Sequence, residues 1–194
     1  RMFLSTPLVA GSGSRMVKQA FEGVTIVNTD IANTTLGVGY VDKYQNRTDN
    51  AGDIGEFDQF KDGAYTVFAI NKSISGLTLT GAFARVLEYK ADVADLDVFY
   101  AEGKYEGKAS TFTYNLAGQY WLNKFSDPQA ATLDDSMNAF GLKAGVGIAG
   151  FDAYVAYSKI SDDKTVNTGA TLTDDAKNKL VYGVGSGTDR LYTQ

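Results

Sequence analysis

ASTFTYNLAGQYW, the stretch from Ala109 to Trp121, decides the fold of this chain. One side of an extended chain would carry its large apolar residues, namely Phe112, Tyr114, Leu116 and Tyr120. The other side would carry a mostly polar set, namely Thr111, Thr113, Asn115, Ala117 and Gln119. Because successive side chains of a strand point to opposite sides, this period of two predicts a strand with one apolar and one polar face. The alternation recurs about eight times along the chain, which is typical of a transmembrane β-barrel.

The connections between the predicted strands alternate in length. Short turns are predicted at 30–33, 75–76, 102–108 and 149–150, and long polar loops at 46–63, 123–136 and 161–179. Outer-membrane barrels have short turns at one end and long loops at the other, whereas the connections of a soluble sandwich cross between sheets. We therefore predict an all-β, antiparallel up-and-down transmembrane barrel, with a meander of about 8–9 strands that is part of a larger barrel. Residues 1–194 form a single segment in this prediction, with 20–194 as the strand meander. The stretch 1–19 is interpreted either as an ordinary surface loop or as a lumen-facing loop.

Composition excludes several classes of function. The 194 residues include no histidine and no cysteine, so Ser-His-Asp and Cys-His catalysis and the usual zinc sites are excluded. The net charge is −5 with acids and bases interleaved, which gives no nucleic-acid footprint. The chain contains 21 glycines, 12 tyrosines and 11 phenylalanines, a composition that favours strands. We predict no enzyme activity, no catalytic residue, no cofactor and no metal site.

The alternation also predicts which way side chains face. The apolar row of the opening stretch and the row from Phe140 to Ile148 are expected to face lipid. Earlier in the chain, Leu96, Val98 and Tyr100 are expected to point outward, and Asp95, Asp97 and Phe99 inward. Outward tyrosines near strand ends are expected to form an interface girdle, namely Tyr40, Tyr100, Tyr120 and Tyr157.

Two motifs suggest other chemistry and are interpreted structurally. The run Gly145 to Gly150 matches G-x-G-x-x-G, but a strand follows it where a dinucleotide site needs a helix. Paired acids at 134–135, 162–163 and 174–175 lie in polar loops, where solvated charge is the simplest interpretation and calcium bridging is the alternative.

The run from Ser5 to Asp49, STPLVAGSGSRMVKQAFEGVTIVNTDIANTTLGVGYVDKYQNRTD, resembles the OprD/Opr-type outer-membrane porins, especially those of epsilonproteobacteria. The runs 73–86, 93–120 and 187–194 resemble the family in the same way. The resemblance implies a monomeric or homotrimeric barrel of about eighteen strands in the bacterial outer membrane, with basic side chains that steer carboxylates. The chain begins at Arg1 without a strand-rich N-terminal half and ends in Tyr-Thr-Gln, so we expect an internal fragment.

The sequence thus predicts a porin for passive diffusion of small hydrophilic solutes, with a preference for carboxylates. Its partners would be outer-membrane lipid and small polar or anionic solutes. The predicted pore-lining residues are Arg15, Lys18, Lys43, Thr111, Asn115 and Lys143, and the resemblance places Arg15 where the family has a similar loop arginine. The alternatives are a soluble or surface β-rich protein with a structural or adhesive role, and an outer-membrane enzyme.

Overall fold

The computed structural model describes residues 2–4, 6–8, 20–45, 57–87, 95–126 and 136–160. Within these residues the regular structure consists of eight strands: β1 Phe21–Asn28, β2 Thr34–Gln45, β3 Phe57–Asn71, β4 Leu77–Val86, β5 Leu96–Ala109, β6 Phe112–Phe125, β7 Ser136–Ile148 and β8 Phe151–Ile160. No membrane-spanning helix is found in this part of the chain. A ninth strand from Leu180, which the sequence suggested, falls outside the described residues.

The eight strands form one antiparallel sheet in sequence order from β1 to β8. The pairing of β5 with β6 runs from Leu96 opposite Phe125 to Ala109 opposite Phe112. Among the described strands, β1 and β8 are the two ends of the sheet and do not pair with each other. The predicted up-and-down meander is therefore confirmed, and the sheet is one part of a barrel.

Four tight turns join the strands at one end of the sheet. They use positive φ angles at Asn33 (55°), Gly76 (76°), Ser110 (42°), and Ala149 and Gly150 (51° and 85°). Glycine adopts this region without a Cβ clash, and Asn enters it more easily than other residues. The connections 46–56, 87–95 and 126–135 are longer and join the opposite strand ends. Within the described residues short and long connections alternate as predicted, although β3 begins at Phe57 and the first long connection is shorter than expected. The predicted long loop at 161–179 lies outside the described residues.

The predicted turn at 102–108 is wrong, because this stretch lies inside β5. Its two glycines and its charges suggested a turn. In the sheet, Gly107 instead leaves room for the ring of Tyr114 on the neighbouring strand, which a Cβ would overlap. The true turn takes Ser110 and Thr111, so the strand predicted to begin at Ala109 begins at Phe112.

One face of the sheet, which we call the outer face, carries a continuous apolar surface. The register puts Phe112 opposite Ile148, Tyr114 opposite Val146, and Tyr120 opposite Phe140. Leu116 and Leu142 lie on the same face and are 53% and 55% exposed. The prediction that this row shares one outward face is confirmed.

The opposite face, which we call the inner face, is buried in its half next to the long connections. Met2 pairs with Phe21 through two backbone hydrogen bonds of 2.8 and 2.9 Å, which draws the N-terminal segment 2–8 over the sheet. Leu4 and Leu8 then join a core cluster with Val98 and Trp121. Burial of these side chains removes apolar surface from water and fixes the segment against the strands.

The predicted facing of the first half of β5 is therefore wrong. Val98 and Tyr100 point inward and are buried, and the rings of Tyr100 and Trp121 are in contact, tilted by 45° with centroids 4.3 Å apart. Asp97 lies on the outer face, where its carboxylate accepts two hydrogen bonds of 2.6 Å from Arg85. Because the segment 2–8 covers the inner face at this end, the apolar residues of β5 face inward there.

Candidate pore-lining wall

The half of the inner face next to the tight turns carries two lysines on one row. Lys104 of β5 and Lys143 of β7 both lie opposite Ala117 of β6, one on each side. Since neighbouring strands are about 4.8 Å apart, the two lysine backbones are separated by about 10 Å. The short side chain of Ala117 leaves the space between the two lysines open.

The two lysines have different neighbours. The amine of Lys104 lies 2.9 Å from Oε1 of Glu102, which is on the same face two residues earlier. Its side chain is 47% exposed, whereas that of Glu102 is 11% exposed. The amine of Lys143 lies 4.6 Å from the ring centroid of Tyr154, which is a cation–π contact. Both amines can therefore meet a solute.

Side-chain amides of β6 lie across glycines of β7. A Cβ at Gly141 would come within 2.8 Å of Nε2 of Gln119, and one at Gly145 within 2.7 Å of Nδ2 of Asn115. The glycines thus make room for two amides on the wall. Gln119 is 4% exposed, and neither atom of its amide has a hydrogen-bond partner. The G-x-G-x-x-G run is therefore a glycine-lined strand that enters a turn, as predicted.

Alternating charges line the inner face of β5 toward the tight turns. The sequence places Glu102, Lys104, Glu106 and Lys108 at every second position of this strand. The inner-face residues Lys108 and Thr113 are opposite each other, near the turn at 110–111. The sequence interpretation missed these residues because it assigned the stretch to a turn. The Glu-Lys alternation itself, at a period of two, was the signal that could have found them.

Two of the predicted wall residues lie on the inner face, namely Asn115 and Lys143. Thr111 does not lie on the wall, because it is part of the turn between β5 and β6. Arg15 and Lys18 lie outside the described residues.

Lys43 lies on the outer face, opposite to its predicted facing. A bulge between Val41 and Lys43 shifts the alternation of β2. As a result Tyr44 packs against the inner core, and Lys43 lies opposite Glu22, with its amine 3.3 Å from the carboxylate.

The family is established by comparison with known proteins. Residues 1–182 match the family described as outer membrane porin, OprD family. Comparison with curated protein sequences finds no significant match. The match places the chain in the outer membrane and in a class of channels that are not enzymes. An origin in epsilonproteobacteria stays a prediction.

Solved outer-membrane proteins share the fold. OccK8 (OprE) of Pseudomonas aeruginosa has a TM-score of 0.66 at 12% identity, covering 84% of this chain and 46% of that one. OpdK of the same organism, solved with vanillate, has a TM-score of 0.68 at 16% identity, covering 84% and 43%. OccAB4 of Acinetobacter baumannii has a TM-score of 0.65 at 18% identity, covering 82% and 40%. The chain spans less than half the length of these solved structures. With the family match over nearly all of its residues, the chain belongs to the OprD family of outer membrane porins.

Proposed function

We propose that the protein containing this chain is a passive channel for small hydrophilic solutes and prefers those that carry a carboxylate. The observation that carries the proposal is the lysine pair of the inner face, Lys104 and Lys143, on one row with Ala117 between them. A carboxylate that passes this row meets two amines across an open gap. No covalent step is involved.

The mechanism combines hydrogen bonding with electrostatic attraction. Thr80, opposite Glu102 on β4, and Asn115 lie on the same wall. Their hydroxyl and amide groups replace part of the water that a solute loses in a narrow passage. Lysine charges act strongly there, because low-dielectric walls focus the field and raise the local concentration of anions. Selectivity then follows from width and from wall charge.

Acidic side chains on the same wall set the limit of this preference. Glu102 is paired with Lys104, and its side chain is 11% exposed against 47% for the lysine. The lysine is thus presented to the lumen and the acid is largely withdrawn. The row favours anions because the lysine is more exposed than the carboxylate, although the two charges are equal in number.

Other basic groups belong to the proposal as predictions. Arg15 and Lys18 remain predicted pore-lining groups of the loop 1–19, and the packing of Leu4 and Leu8 on the inner face supports a loop folded inward. Lys43 and Thr111 are removed from the wall. Conduction takes place within one barrel, so assembly as a monomer or as a homotrimer leaves the mechanism unchanged.

Replacement of Lys143 tests the proposal. In the full-length protein reconstituted in liposomes, Lys143→Ala should lower acetate flux about two- to threefold at low salt, because it removes one focusing charge. Flux of a neutral solute of similar size, such as ethylene glycol, should stay the same. The difference should shrink in 1 M salt, where the Debye length is about 3 Å.

Lys159→Ala is the matched control, because this lysine lies opposite Phe140 on the outer face. It should leave both fluxes unchanged. Equal losses of acetate and ethylene glycol flux in Lys143→Ala would mean that the lysine shapes the passage without selecting by charge.

A further inference from the structure

A depression on the outer face plays no part in the pore. It has a volume of about 600 Å³ and lies over β3 to β6. Its floor includes Gly81, Ala101, Gly103 and Gly118, and leucines form part of its rim. These positions share the outer face with Leu116 and Tyr120, so the depression faces the hydrocarbon of the membrane.

The floor is open because its residues are glycines and alanine, which have no side chain or only a methyl group. A Cβ at Gly81 would meet no atom within 4 Å. A Cβ at Gly103 would lie 3.5 Å from Cδ2 of Leu79, and one at Gly118 would lie 3.5 Å from Cδ2 of Leu142. The result is a groove with a flat backbone floor and leucine walls. We call it the glycine groove.

A polar row above the glycine groove marks the level of the lipid headgroups. Tyr40, Tyr65, Arg85, Asp97 and Lys124 lie opposite one another on five neighbouring strands of the outer face. Tyrosines and charged groups collect where a barrel leaves the hydrocarbon. This row lies toward the long connections, which face the outside in barrels of this kind.

The depth of the groove fits an acyl chain. Gly81 is four residues from Arg85 on β4, and Gly118 is six residues from Lys124 on β6. At about 3.3 Å per residue and a tilt near 45°, the floor lies roughly 9–14 Å below the charged row.

The charged row leaves one amine for a headgroup. Nε and Nη2 of Arg85 donate to Asp97 at 2.6 Å, so the arginine and the aspartate satisfy each other. Lys124, on the other side of Asp97, is exposed, and Asp95 lies two residues before Asp97 and also acts on Arg85. The exposed amine of Lys124 is the group of this row that can meet a lipid phosphate.

We propose that the glycine groove binds one acyl chain of a phosphate-bearing membrane lipid, with the phosphate at Lys124. An unbranched chain can lie on a floor of glycines and alanine and gain dispersion contacts along its length. A flat surface such as the wall of a second barrel would meet the rim at Leu79 and Leu142 before it reached the floor. The inference requires only that the barrel lies in the membrane, so it stands apart from the selectivity of the pore.

Native mass spectrometry of the full-length protein in detergent tests the site. The probes are phosphatidylglycerol and phosphatidylcholine with the same acyl chains. Gly81→Leu combined with Ala101→Leu fills the groove and should lower retention of both lipids about tenfold, which corresponds to about 1.4 kcal/mol. Lys124→Gln should keep the acyl-chain site and lower retention of both lipids, with a larger loss for phosphatidylglycerol because no choline cation offsets its phosphate charge.

Ala153→Leu is the matched control, because it adds a leucine to the outer face of β8, away from the groove. It should retain both lipids like the wild type. The heat-dependent mobility of each variant on a gel shows whether its barrel is folded. Equal retention by the filled and control variants would overturn the proposal in favour of unspecific surrounding lipid. Loss of an oligomer on filling, without loss of lipid, would overturn it in favour of a second copy.

Discussion

The two halves of the inner face differ in polarity and burial, although the same strands form both. Next to the long connections, Val98 and Trp121 are buried against Leu8 of the N-terminal segment. Next to the tight turns, Lys104 is about half exposed on the same face of the same strand as Val98. The interior is thus filled with apolar side chains at one end and lined by polar ones at the other.

The boundary between the halves is one residue pair wide. On β6, Trp121 is fully buried with its ring on Tyr100, and two residues along the strand Gln119 has an amide without a hydrogen-bond partner. A buried amide without a partner is costly, so an ordered water is the natural partner of Gln119. The comparison of the two halves shows that alternation in the sequence assigns residues to the two faces of the sheet. Whether residues on one face are apolar or polar depends on what packs against that face.

The largest expected effect comes from the covered half. Leu8 is 1% exposed, and Leu8→Ala should destabilise the packing of the segment 2–8 by about 2–5 kcal/mol, as for other buried leucines. With this anchor weakened, the interior should open, so single-channel conductance of the full-length protein in a planar bilayer should rise and become noisier.

Leu142→Ala is the control for this measurement, because Leu142 lies on the outer face and is 55% exposed. Its conductance should match that of the wild type. Unchanged conductance in Leu8→Ala would show that the segment fills the end of the barrel without narrowing the path.

A moderate effect is expected from the polar half. Glu102→Gln removes the carboxylate that lies 2.9 Å from the amine of Lys104 and keeps the shape of the side chain. The unpaired lysine should make the channel more anion-selective, which the reversal potential in a salt gradient measures directly. Glu22→Gln is the control, since Glu22 pairs with Lys43 on the outer face and should not shift the potential. A shift toward cations in Glu102→Gln would contradict the assigned role of Lys104.

The sequence predicted what depends on local alternation and missed what depends on distant contacts. The meander, the outward row around Leu116, and the inward positions of Asn115 and Lys143 all follow from a period of two. The inward facing of Val98 depends on Leu8, which is ninety positions away in the chain, and no pattern within β5 reveals that cover. The wall was predicted in part, because Lys104 was hidden in a stretch whose glycines suggested a turn.

The smallest effect is expected at Lys43, where a substitution tests which face of the sheet this lysine occupies. Lys43 was predicted on the wall together with Lys143, and the bulge of β2 places it beside Glu22 on the outer face. Lys43→Gln should therefore leave acetate flux and the reversal potential unchanged under the conditions in which Lys143→Ala alters the flux. The exposed ion pair with Glu22 contributes little to stability, so the barrel should also keep its folded mobility on a gel. A loss of acetate flux comparable to that of Lys143→Ala would mean that Lys43 reaches the lumen. In that case β2 would keep its alternation without the bulge, and the facing read directly from the sequence would be right.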